Sequence, residues 1–412
     1  MNVELVTVGT ELLLGFTLDT NGAEIARSLA NLGVRVVRRT AVSDRADEIA
    51  DAVRSALGRT GAVITTGGLG PTRDDITKKA VAELFDAPLE FDDTVWGDLL
   101  ARFARLQRAP APSNRTQAEV PRGATVLRNR WGTAPGLWLE GPAGLVIMLP
   151  GVPHEMARLL EHEVVPRLAA RGGAAVIRSL TVRTTGIPES TLAERMGEIE
   201  REIAPLTLAY LPGLDGVDLR LSAWQLSPGE TDARLRAAAD LLRERAGEHF
   251  YGEGDTDLAA VVLDLARAQG LRIGAAESCT GGLVGGRLTE VPGSSEVFLG
   301  AVVPYDNELK TRLLGVPAEL IAEHGAVSEE VVRAMALGAV SHLGVDLAVA
   351  VTGVAGPGGG SETKPVGTVW FGVARGERVE TRRTLLPGSR HDIRARAAQT
   401  ALFLLYRSLK DR

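Results

Sequence analysis

The amino-acid sequence predicts a multidomain α/β protein, with two α/β domains joined by a small α+β domain. Three observations support this class. A chain of 412 residues is too long for a single hydrophobic core. In its first and last parts, apolar strand-like runs alternate with helix-like runs, which is typical of parallel sheets covered by helices. Between these parts the order changes to strand, helix, two strands and helix, which indicates an α+β domain.

Composition limits the function classes that the chain can belong to. Hydrophobic residues make up 45% and charged residues 24%, as in ordinary globular proteins. The net charge of −6 provides no general attraction to nucleic acid, so we expect no direct nucleic-acid binding. Cys279 is the only cysteine, which excludes an internal disulfide and a cysteine-rich zinc site.

The chain has no sequence signal for a membrane or for export. No apolar run approaches the roughly 18 residues that a membrane helix needs. The first residues contain no basic segment followed by an apolar stretch, so we predict no signal peptide. We therefore expect a cytoplasmic protein without a membrane span.

In the first part, residues 1–171, strand-like and helix-like runs alternate from the start. The predicted strands are 3–8, 34–38, 62–66, 137–140 and 145–149. The predicted helices are 23–32, 46–57 and a helix that ends near 168. Ligands of such sheets bind beyond the carboxyl ends of the strands.

One of these strand ends carries a glycine-rich string, Gly67–Thr77, which we call the phosphate loop. Its glycines allow close backbone approach, and successive N–H groups can hold a phosphate. Its two adjacent aspartates could hold a divalent cation against that phosphate. The alternative is a glycine turn with an aspartate cap, but the whole string favours a site. The predicted site residues are Gly67, Gly68, Gly70, Thr72, Asp74, Asp75 and Thr77, with Asp74 and Asp75 as metal ligands.

The segment 102–130 contains seven arginines against one acid, Glu119. It could face an anionic ligand, or it could be a solvated surface in a chain that uses arginine for most of its positive charge. The sequence leaves both alternatives open. Aromatic residues do not alternate with these arginines, which argues against a stacking platform for nucleic acid.

Two glycine-containing stretches predict the domain boundaries. The first is Arg171–Gly173 and the second is Gly252–Asp255. The predicted domains are therefore 1–171, 172–253 and 254–412. Within the middle domain we predict strands from 176, at 206–210 and at 217–226, and helices at 189–203 and 231–246.

The third domain contains a candidate nucleophile. Ser278 lies between a predicted strand, 271–276, and a predicted helix, 282–289. An α/β enzyme places a nucleophile at such a junction, where the amides of the helix start can bind a developing oxyanion. The alternative is that Ser278 and Thr280 cap the helix and that the glycines beside them permit close packing.

Later strand ends favour the catalytic interpretation. No histidine lies in a motif beside Ser278, so Lys310, with Tyr305, is the better candidate base if burial lowers its pKa. The stretch Thr352–Gly360 is a further strand end with open amides. Two arginines, Arg390 and Arg394, open the last predicted helix and suit a phosphate.

These motifs together resemble the CinA family of competence/damage-inducible proteins, over essentially the whole chain. The first domain resembles the molybdopterin-binding α/β sandwich. Its matching motifs are Gly9–Glu11, Asp19–Asn21, the phosphate loop, Gly132–Gly136 and Pro150–Glu155. The third resembles the nicotinamide mononucleotide deamidase domain. Its matching motifs are Glu277–Gly282, Tyr305, Asn307, Lys310, Thr352–Pro357 and Arg390.

The resemblance implies a bifunctional hydrolase of pyridine-nucleotide salvage. The third domain would convert nicotinamide mononucleotide to nicotinate mononucleotide and ammonia, without a cofactor. The first would cleave ADP-ribose to AMP and ribose 5-phosphate with a divalent metal of the Mg or Co type, with potassium as a further ion. The implied catalytic residues are Ser278, Tyr305, Lys310 and Thr352. The implied substrate-binding residues are Glu277, Thr280, Gly281, Asn307, Gly353 and Arg390.

Two other functions stay open at this point. The first domain could bind a pterin or a nucleotide without turnover, or the whole protein could be an accessory factor in competence or DNA repair. We also expect a homodimer.

Overall fold

The computed structural model describes residues 1–171, 176–226 and 228–410. They divide into two units, Met1–Arg178 with Ala223–Ala233, and Ser179–Ser222 with Arg234–Arg412. The expected mixed α/β multidomain class is confirmed. None of the helices in the described part of the chain has the length and apolarity of a membrane span.

The first domain is built on a six-stranded sheet. Its strands and those of a separate two-stranded sheet are β1 (Asn2–Val8), β2 (Arg35–Val42), β3 (Ala62–Thr66), β4 (Leu89–Phe91), β5 (Glu119–Pro121), β6 (Thr125–Leu127), β7 (Gly136–Gly141) and β8 (Gly144–Leu149). The large sheet has the order β2-β1-β3-β8-β7-β6, and β4 pairs with β5. The first four strands of that order are parallel, so the carboxyl ends of β1, β3 and β8 lie at one edge.

Helices cover both faces of this sheet. They are α1 (Thr10–Leu13), α2 (Thr20–Ala30), α3 (Ala46–Thr60), α4 (Thr77–Leu84), α5 (Asp93–Arg105), α6 (Pro153–Leu159) and α7 (Val165–Ala170), with a 3-10 helix at Pro112–Ala118 and a π-helical turn at Leu160–Val164. Successive side chains of a strand point to opposite faces. Accordingly, Leu5 packs with Ile25 of α2, whereas Val6 packs with Ile49 of α3. Two apolar cores thus fix the sheet between its helices.

The connecting domain is a four-stranded sheet with helices. Its elements are β9 (Val176–Thr184), β10 (Thr207–Pro212), β11 (Val217–Leu226), β12 (Phe250–Glu253), α8 (Glu189–Met196), α9 (Ile199–Glu202), α10 (Pro228–Ala246) and a 3-10 helix at Gly247–His249. The strand order is β10-β11-β9-β12.

Two expectations for this region were wrong in detail. The helix predicted over 189–203 is two helices, because Gly197, with φ +55°, ends α8. The predicted linker Gly252–Asp255 begins inside β12, since Gly252 and Glu253 pair with Arg183 and Val182 of β9. Gly172 and Gly173 of the first predicted boundary lie outside the described residues.

The third domain has a five-stranded sheet. Its strands are β13 (Ile273–Glu277), β14 (Phe298–Val302), β15 (Leu347–Gly353), β16 (Thr368–Arg375) and β17 (Arg378–Leu385). Its helices are α11 (Leu258–Gln269), α12 (Leu283–Thr289), α13 (Asn307–Leu314), α14 (Ala318–His324), α15 (Glu329–Leu343) and α16 (Arg390–Lys410), with a 3-10 helix at Ser294–Glu296. In the order β14-β13-β15-β16-β17 the first three strands are parallel. Their carboxyl ends therefore share one edge.

The connecting domain packs against α16 of the third domain. His249 stacks on Phe403 with ring centroids 5.7 Å apart. The Tyr406 hydroxyl donates a hydrogen bond of 2.6 Å to the carbonyl of Phe250. Phe403 and Tyr406 are almost fully buried, at 1% exposure each. The second and third predicted domains thus share one apolar interface.

Candidate active site

Ser278 begins a tight turn at the end of β13. Its N–H donates to the carbonyl of Val351 in β15 at 2.9 Å, and the residue is only 9% exposed. Gly281 and Gly282 have φ of +60° and +96°, the left-handed region that glycine adopts at little cost. They let the chain turn directly into α12. The predicted strand, turn and helix are therefore confirmed, and we call Ser278–Gly282 the nucleophile turn.

Glu277, just before this turn, is fully buried. Its carboxylate accepts hydrogen bonds from the amides of Gly282 (3.0 Å), Val284 (3.1 Å) and Gly285 (2.8 Å). Because a buried charge needs such partners, Glu277 holds the start of α12 in place. These amides are therefore engaged with Glu277, and the anion-binding role expected of the helix start would fall to the preceding amides of the turn.

Lys310 lies on α13 and is 1% exposed. Its ammonium donates to the carbonyls of Pro304 (3.1 Å) and Tyr305 (3.4 Å) and to Oδ1 of Asn307 (3.4 Å). Burial lowers the pKa of Lys310, while the Asp306 carboxylate opposes this shift. The buried lysine with a lowered pKa that a base requires is thus present.

Thr352 and Gly353 end β15, beside β13. Thr352 is 1% exposed, and its hydroxyl donates to the carbonyl of Ala326 at 2.8 Å. Its role in orienting Ser278 or Lys310 stays a prediction. At Gly353 an added Cβ would lie 2.8 Å from the Thr368 carbonyl, so glycine permits close approach to β16. In the nucleophile turn, the hydroxyl of Thr280 is buried without a hydrogen-bond partner among the described residues.

Arg390 joins two of the strand-end loops. It donates to the Tyr305 hydroxyl at 2.9 Å and to the carbonyl of Gly356 at 2.6 Å. Tyr305 is 59% exposed, so these groups lie at the surface of the domain. Two of the five guanidinium N–H donors are engaged in these contacts, which leaves donors for an anion.

Arg394 contacts the nucleophile turn, although the sequence suggested a phosphate ligand. Its Nε donates to the carbonyl of Cys279 at 3.1 Å, and a terminal nitrogen donates to the carbonyl of Thr280 at 2.7 Å. Cys279 itself is 5% exposed, and burial raises the pKa of its thiol to about 12. The start of α16 is therefore hydrogen-bonded to the nucleophile turn that follows β13.

In the first domain, the phosphate loop leaves β3 through two glycines with positive φ. Gly67 and Gly68 have φ of +103° and +68°. A Cβ at Gly67 would lie 2.2 Å from the Val8 carbonyl, and one at Gly68 would lie 2.1 Å from Oγ1 of Thr77. Thr77 is fully buried, and its hydroxyl has no partner in the described part of the domain. The loop therefore requires glycine and keeps a polar atom unsatisfied.

The two aspartates of this loop differ in their contacts. Asp75 accepts hydrogen bonds from the Thr72 amide at 2.8 Å and from the Thr72 hydroxyl. Asp74 is exposed, and a hydrogen bond from Thr72 lowers its pKa, which favours the ionised form. Asp75 is thus partly a turn cap, as the alternative interpretation proposed, while its other oxygen is not committed to Thr72.

Asp74 and Asp75 together fit a weakly bound hard cation such as Mg²⁺. No group of three or more His, Cys, Asp or Glu side chains within residues 1–171, 176–226 and 228–410 could form a metal cluster. Mg²⁺ is commonly held by one or two carboxylates, with water and substrate phosphates as the other ligands. Asp74 and Asp75 match that donor set.

Sequence reasoning assigned no site role to two polar groups around this site, although Asn21 lies in the Asp19–Asn21 motif. Asn21 bridges neighbouring strand ends, donating to Oγ1 of Thr66 at 3.0 Å and to the carbonyl of Gly151 at 2.8 Å. Its Oδ1 is buried without a partner in the described residues. Lys78 is 7% exposed, donates to the carbonyl of Thr116, and has a pKa lowered to about 8 by burial. The scarcity of lysine in the chain was the available signal for Lys78.

Two of the seven arginines of the arginine-rich segment pair with acids outside it, and a third is held by backbone carbonyls. Arg128 forms two hydrogen bonds of 2.9 Å with Asp98, and Arg122 contacts Glu90 at 2.5 Å. Arg102 donates to backbone carbonyls at 2.6 and 3.3 Å. These contacts favour the surface interpretation over an anion site.

Models of three protein families match the chain in succession. Residues 4–170 match a probable molybdopterin binding domain. Residues 179–252 match the KH domain of damage-inducible protein CinA, and residues 255–409 match the CinA C-terminal domain.

Known proteins similar to the chain have CinA-like or competence-damage inducible names. A CinA-like protein of Gemmatimonas aurantiaca is 53% identical over 99% of this chain and 96% of its own. A putative competence-damage inducible protein of Symbiobacterium thermophilum is 44% identical over 99% of both. The solved competence damage-inducible protein A of Klebsiella pneumoniae is 38% identical, covering 37% of this chain and 96% of its own, with a TM-score of 0.37. The chain therefore belongs to the CinA family.

Proposed function

We propose that the third domain is a serine amidohydrolase that converts nicotinamide mononucleotide to nicotinate mononucleotide and ammonia. The observation that carries this proposal is the buried Lys310 on α13, whose pKa is lowered. This helix follows β14, which pairs with β13, the strand that presents Ser278. Lysine can act as a base only when it is neutral, and desolvation increases its neutral fraction near pH 7.

The reaction proceeds through an acyl-enzyme. The Ser278 hydroxyl attacks the carboxamide carbon, and Lys310, assisted by Tyr305, accepts its proton. That proton passes to the leaving ammonia as the carbon–nitrogen bond breaks. Water then attacks the ester, the acid is released, and the serine regains its proton. The amides of Cys279 and Thr280 donate to no backbone carbonyl among the described residues and contact only the Cys279 thiol, a weak acceptor, so they are available to the oxyanion.

The substrate phosphate would bind at Arg390. Its donors face the exposed Tyr305 hydroxyl, at the edge where the strand-end loops meet. Asn307 and Gly353 lie at the same strand ends and would complete the substrate site. Glu277 serves indirectly, because its carboxylate is occupied by the amides that begin α12.

Ammonia release by the purified full chain tests this proposal. We expect release from nicotinamide mononucleotide and much slower release from free nicotinamide, which lacks the phosphate. A folded protein that releases no ammonia from the nucleotide would refute the proposal.

We further propose that the first domain cleaves ADP-ribose to AMP and ribose 5-phosphate with a divalent metal of the Mg or Co type. Support comes from the glycine turn of the phosphate loop and from two buried, unpaired oxygens beside it, on Asn21 and Thr77. Asp74 and Asp75 would hold the metal, which would neutralise charge on the pyrophosphate. The loop amides would orient the phosphates.

Chromatographic detection of AMP tests this second activity. We expect cleavage with Mg²⁺ or Co²⁺ and none with a chelator, and potassium is varied separately. Binding of ADP-ribose without AMP formation would instead favour a non-catalytic binding module. The expected homodimer stays a prediction, which analytical ultracentrifugation of the full chain would test.

A further inference from the structure

Arg394 is the one arginine at the start of α16 that bonds to the nucleophile turn in two places. Its Nε lies 3.1 Å from the carbonyl of Cys279, and its terminal nitrogen lies 2.7 Å from the carbonyl of Thr280. The side chain is half-buried. Hydrogen bonds from a charged donor are stronger than neutral ones, so these two contacts hold the carbonyls firmly.

The orientation of these carbonyls decides where the neighbouring amides point. In a trans peptide the C=O and the following N–H point in opposite directions. With the Cys279 carbonyl on Arg394, the Thr280 amide faces away from the guanidinium. Because Arg394 also holds the Thr280 carbonyl, the Gly281 amide points away from the guanidinium as well. It donates to the Ser278 carbonyl at 3.1 Å. No backbone carbonyl among the described residues accepts from the Thr280 amide, and its partner within the turn is the weakly accepting thiol of Cys279.

Glu277 holds the other side of the same turn. Its buried carboxylate takes the amides of Gly282, Val284 and Gly285, at 2.8 to 3.1 Å. A cation therefore fixes the carbonyls of the turn and an anion fixes the amides that follow it. The Thr280 amide belongs to one of the two peptide groups that Arg394 holds, so its direction is fixed by a side chain that it does not itself contact.

We propose that Arg394 is a positioning residue of the amide hydrolysis. It fixes the two peptide planes of the nucleophile turn, so that the Thr280 amide stays available to the developing oxyanion. Arg390, whose contacts lie on Tyr305 and Gly356, serves the substrate phosphate instead. This inference rests on the proposed amidohydrolase function and divides the two arginines between two tasks.

The division predicts which kinetic constant each arginine affects. An oxyanion donor acts on the transition state and not on the bound substrate, so its loss lowers kcat and leaves KM nearly unchanged. Removing one such donor typically costs about a hundredfold to a thousandfold in kcat. A phosphate ligand acts on both states, so its loss raises KM.

The experiment compares Arg394→Met, Arg394→Lys and Arg390→Met in the full chain. Arg375→Met is the matched control. Like Arg394, Arg375 donates from its guanidinium to a backbone carbonyl, that of Ser408 in α16 at 3.2 Å, but it does not contact the nucleophile turn. We expect Arg394→Met to lower kcat about a hundredfold, with KM within about threefold of wild type. Arg394→Lys should lose less, since it keeps the charge and one donor group. Arg390→Met should mainly raise KM, and Arg375→Met should match wild type.

A substrate-free measurement separates this inference from the proposed function. Hydrogen exchange of a peptide spanning Glu277–Gly282 should be faster in Arg394→Met than in wild type, and unchanged in Arg375→Met. If the wild type releases no ammonia, the proposed function fails, and faster exchange would still support the positioning role. A rise in KM at constant kcat, or unchanged kcat and exchange, would overturn it. If Arg394→Met does not fold, the same comparisons on Arg394→Lys decide.

Discussion

The phosphate loop and the nucleophile turn use the same backbone device in different surroundings. Each follows a parallel strand, and each contains two successive glycines in the left-handed region, at Gly67–Gly68 and Gly281–Gly282. They differ in how their charged groups are solvated. Asp74 of the phosphate loop is exposed, whereas Glu277 and Lys310 are 0% and 1% exposed.

This difference determines what each site needs from outside the protein. A buried charge must be satisfied by the protein itself, and Glu277 and Lys310 each have three hydrogen-bond contacts within the domain. The charged groups beside the nucleophile turn are thus satisfied by the protein itself. Exposed carboxylates keep their water and can exchange it for a cation. The phosphate loop therefore leaves its carboxylates open to a ligand, and the two sites should respond differently to mutation.

The largest expected effect is that of Ser278→Ala. Nucleophile and base act as a unit, so the variant should lose about a thousandfold or more of the ammonia-release rate. ADP-ribose cleavage should be unaffected. Ser341→Ala, at an exposed serine of α15, is the control. A folded Ser278→Ala protein with near-normal ammonia release would break the comparison, because Ser278 would then not be the nucleophile.

Lys310 should set the pH dependence of ammonia release. The base must be neutral, so kcat/KM should fall as the pH drops below the pKa of Lys310, which burial places below that of an ordinary lysine. Lys310→Arg should lose almost as much rate as Ser278→Ala, because arginine stays charged.

Asp306→Asn sharpens this test. The Asp306 carboxylate raises the pKa of Lys310, so its neutralisation should move the acid limb of the profile to lower pH. Asparagine still caps α13, where the side chain accepts from the Glu308 amide at 2.8 Å. A limb that moves to higher pH, or does not move, would exclude Lys310 as the group that titrates.

A smaller loss is expected for Asp75→Asn, about a hundredfold in metal-stimulated cleavage of ADP-ribose. The amide can still accept from Thr72, so the turn is preserved while the charge is lost. Ammonia release should stay at the wild-type rate. Asp51→Asn, at an exposed aspartate of α3, is the control. Wild-type cleavage by Asp75→Asn would reduce this residue to a turn cap.

Local patterns predicted most strands and helices, because hydrophobic periodicity and turn-forming residues are properties of short segments. The strand 62–66 has the predicted bounds, and the turn after β13 lies where Ser278 and the glycines indicated. Gly197 was the local signal for the break in the helix predicted over 189–203. The strand character of Gly252 depends on pairing with β9, which a pattern of glycines does not encode.

The contacts that fix the site were less accessible from sequence. Arg394 is more than a hundred residues away in sequence from the carbonyls that it binds. A motif that pairs arginine with phosphate cannot distinguish an arginine that binds a ligand from one that holds the protein backbone. Glu277 is a similar case: the family resemblance implied substrate contact, and its carboxylate accepts hydrogen bonds from the amides at the start of α12. The identity of polar partners depends on the fold, whereas the presence of polar residues is local.

The smallest expected effect is that of Cys279→Ala. This variant tests whether burial keeps the Cys279 thiol in the nucleophile turn unreactive. Cys279 is 5% exposed, and burial raises the pKa of its thiol to about 12. The reactive species is the thiolate, so iodoacetamide should label the native protein far more slowly than the urea-unfolded protein at pH 7.5.

The catalytic rate should agree with this labelling. The proposed contribution of Cys279 is its backbone amide, which Cys279→Ala keeps, so ammonia release should stay within about threefold of wild type. The thiol packs among the buried apolar residues of the third domain, so the variant should lose about 1 kcal/mol of unfolding free energy, measured by urea titration. An inactive Cys279→Ala beside an active Ser278→Ala, both folded, would transfer the nucleophile from the hydroxyl to the thiol, because only the side chain differs between the two variants.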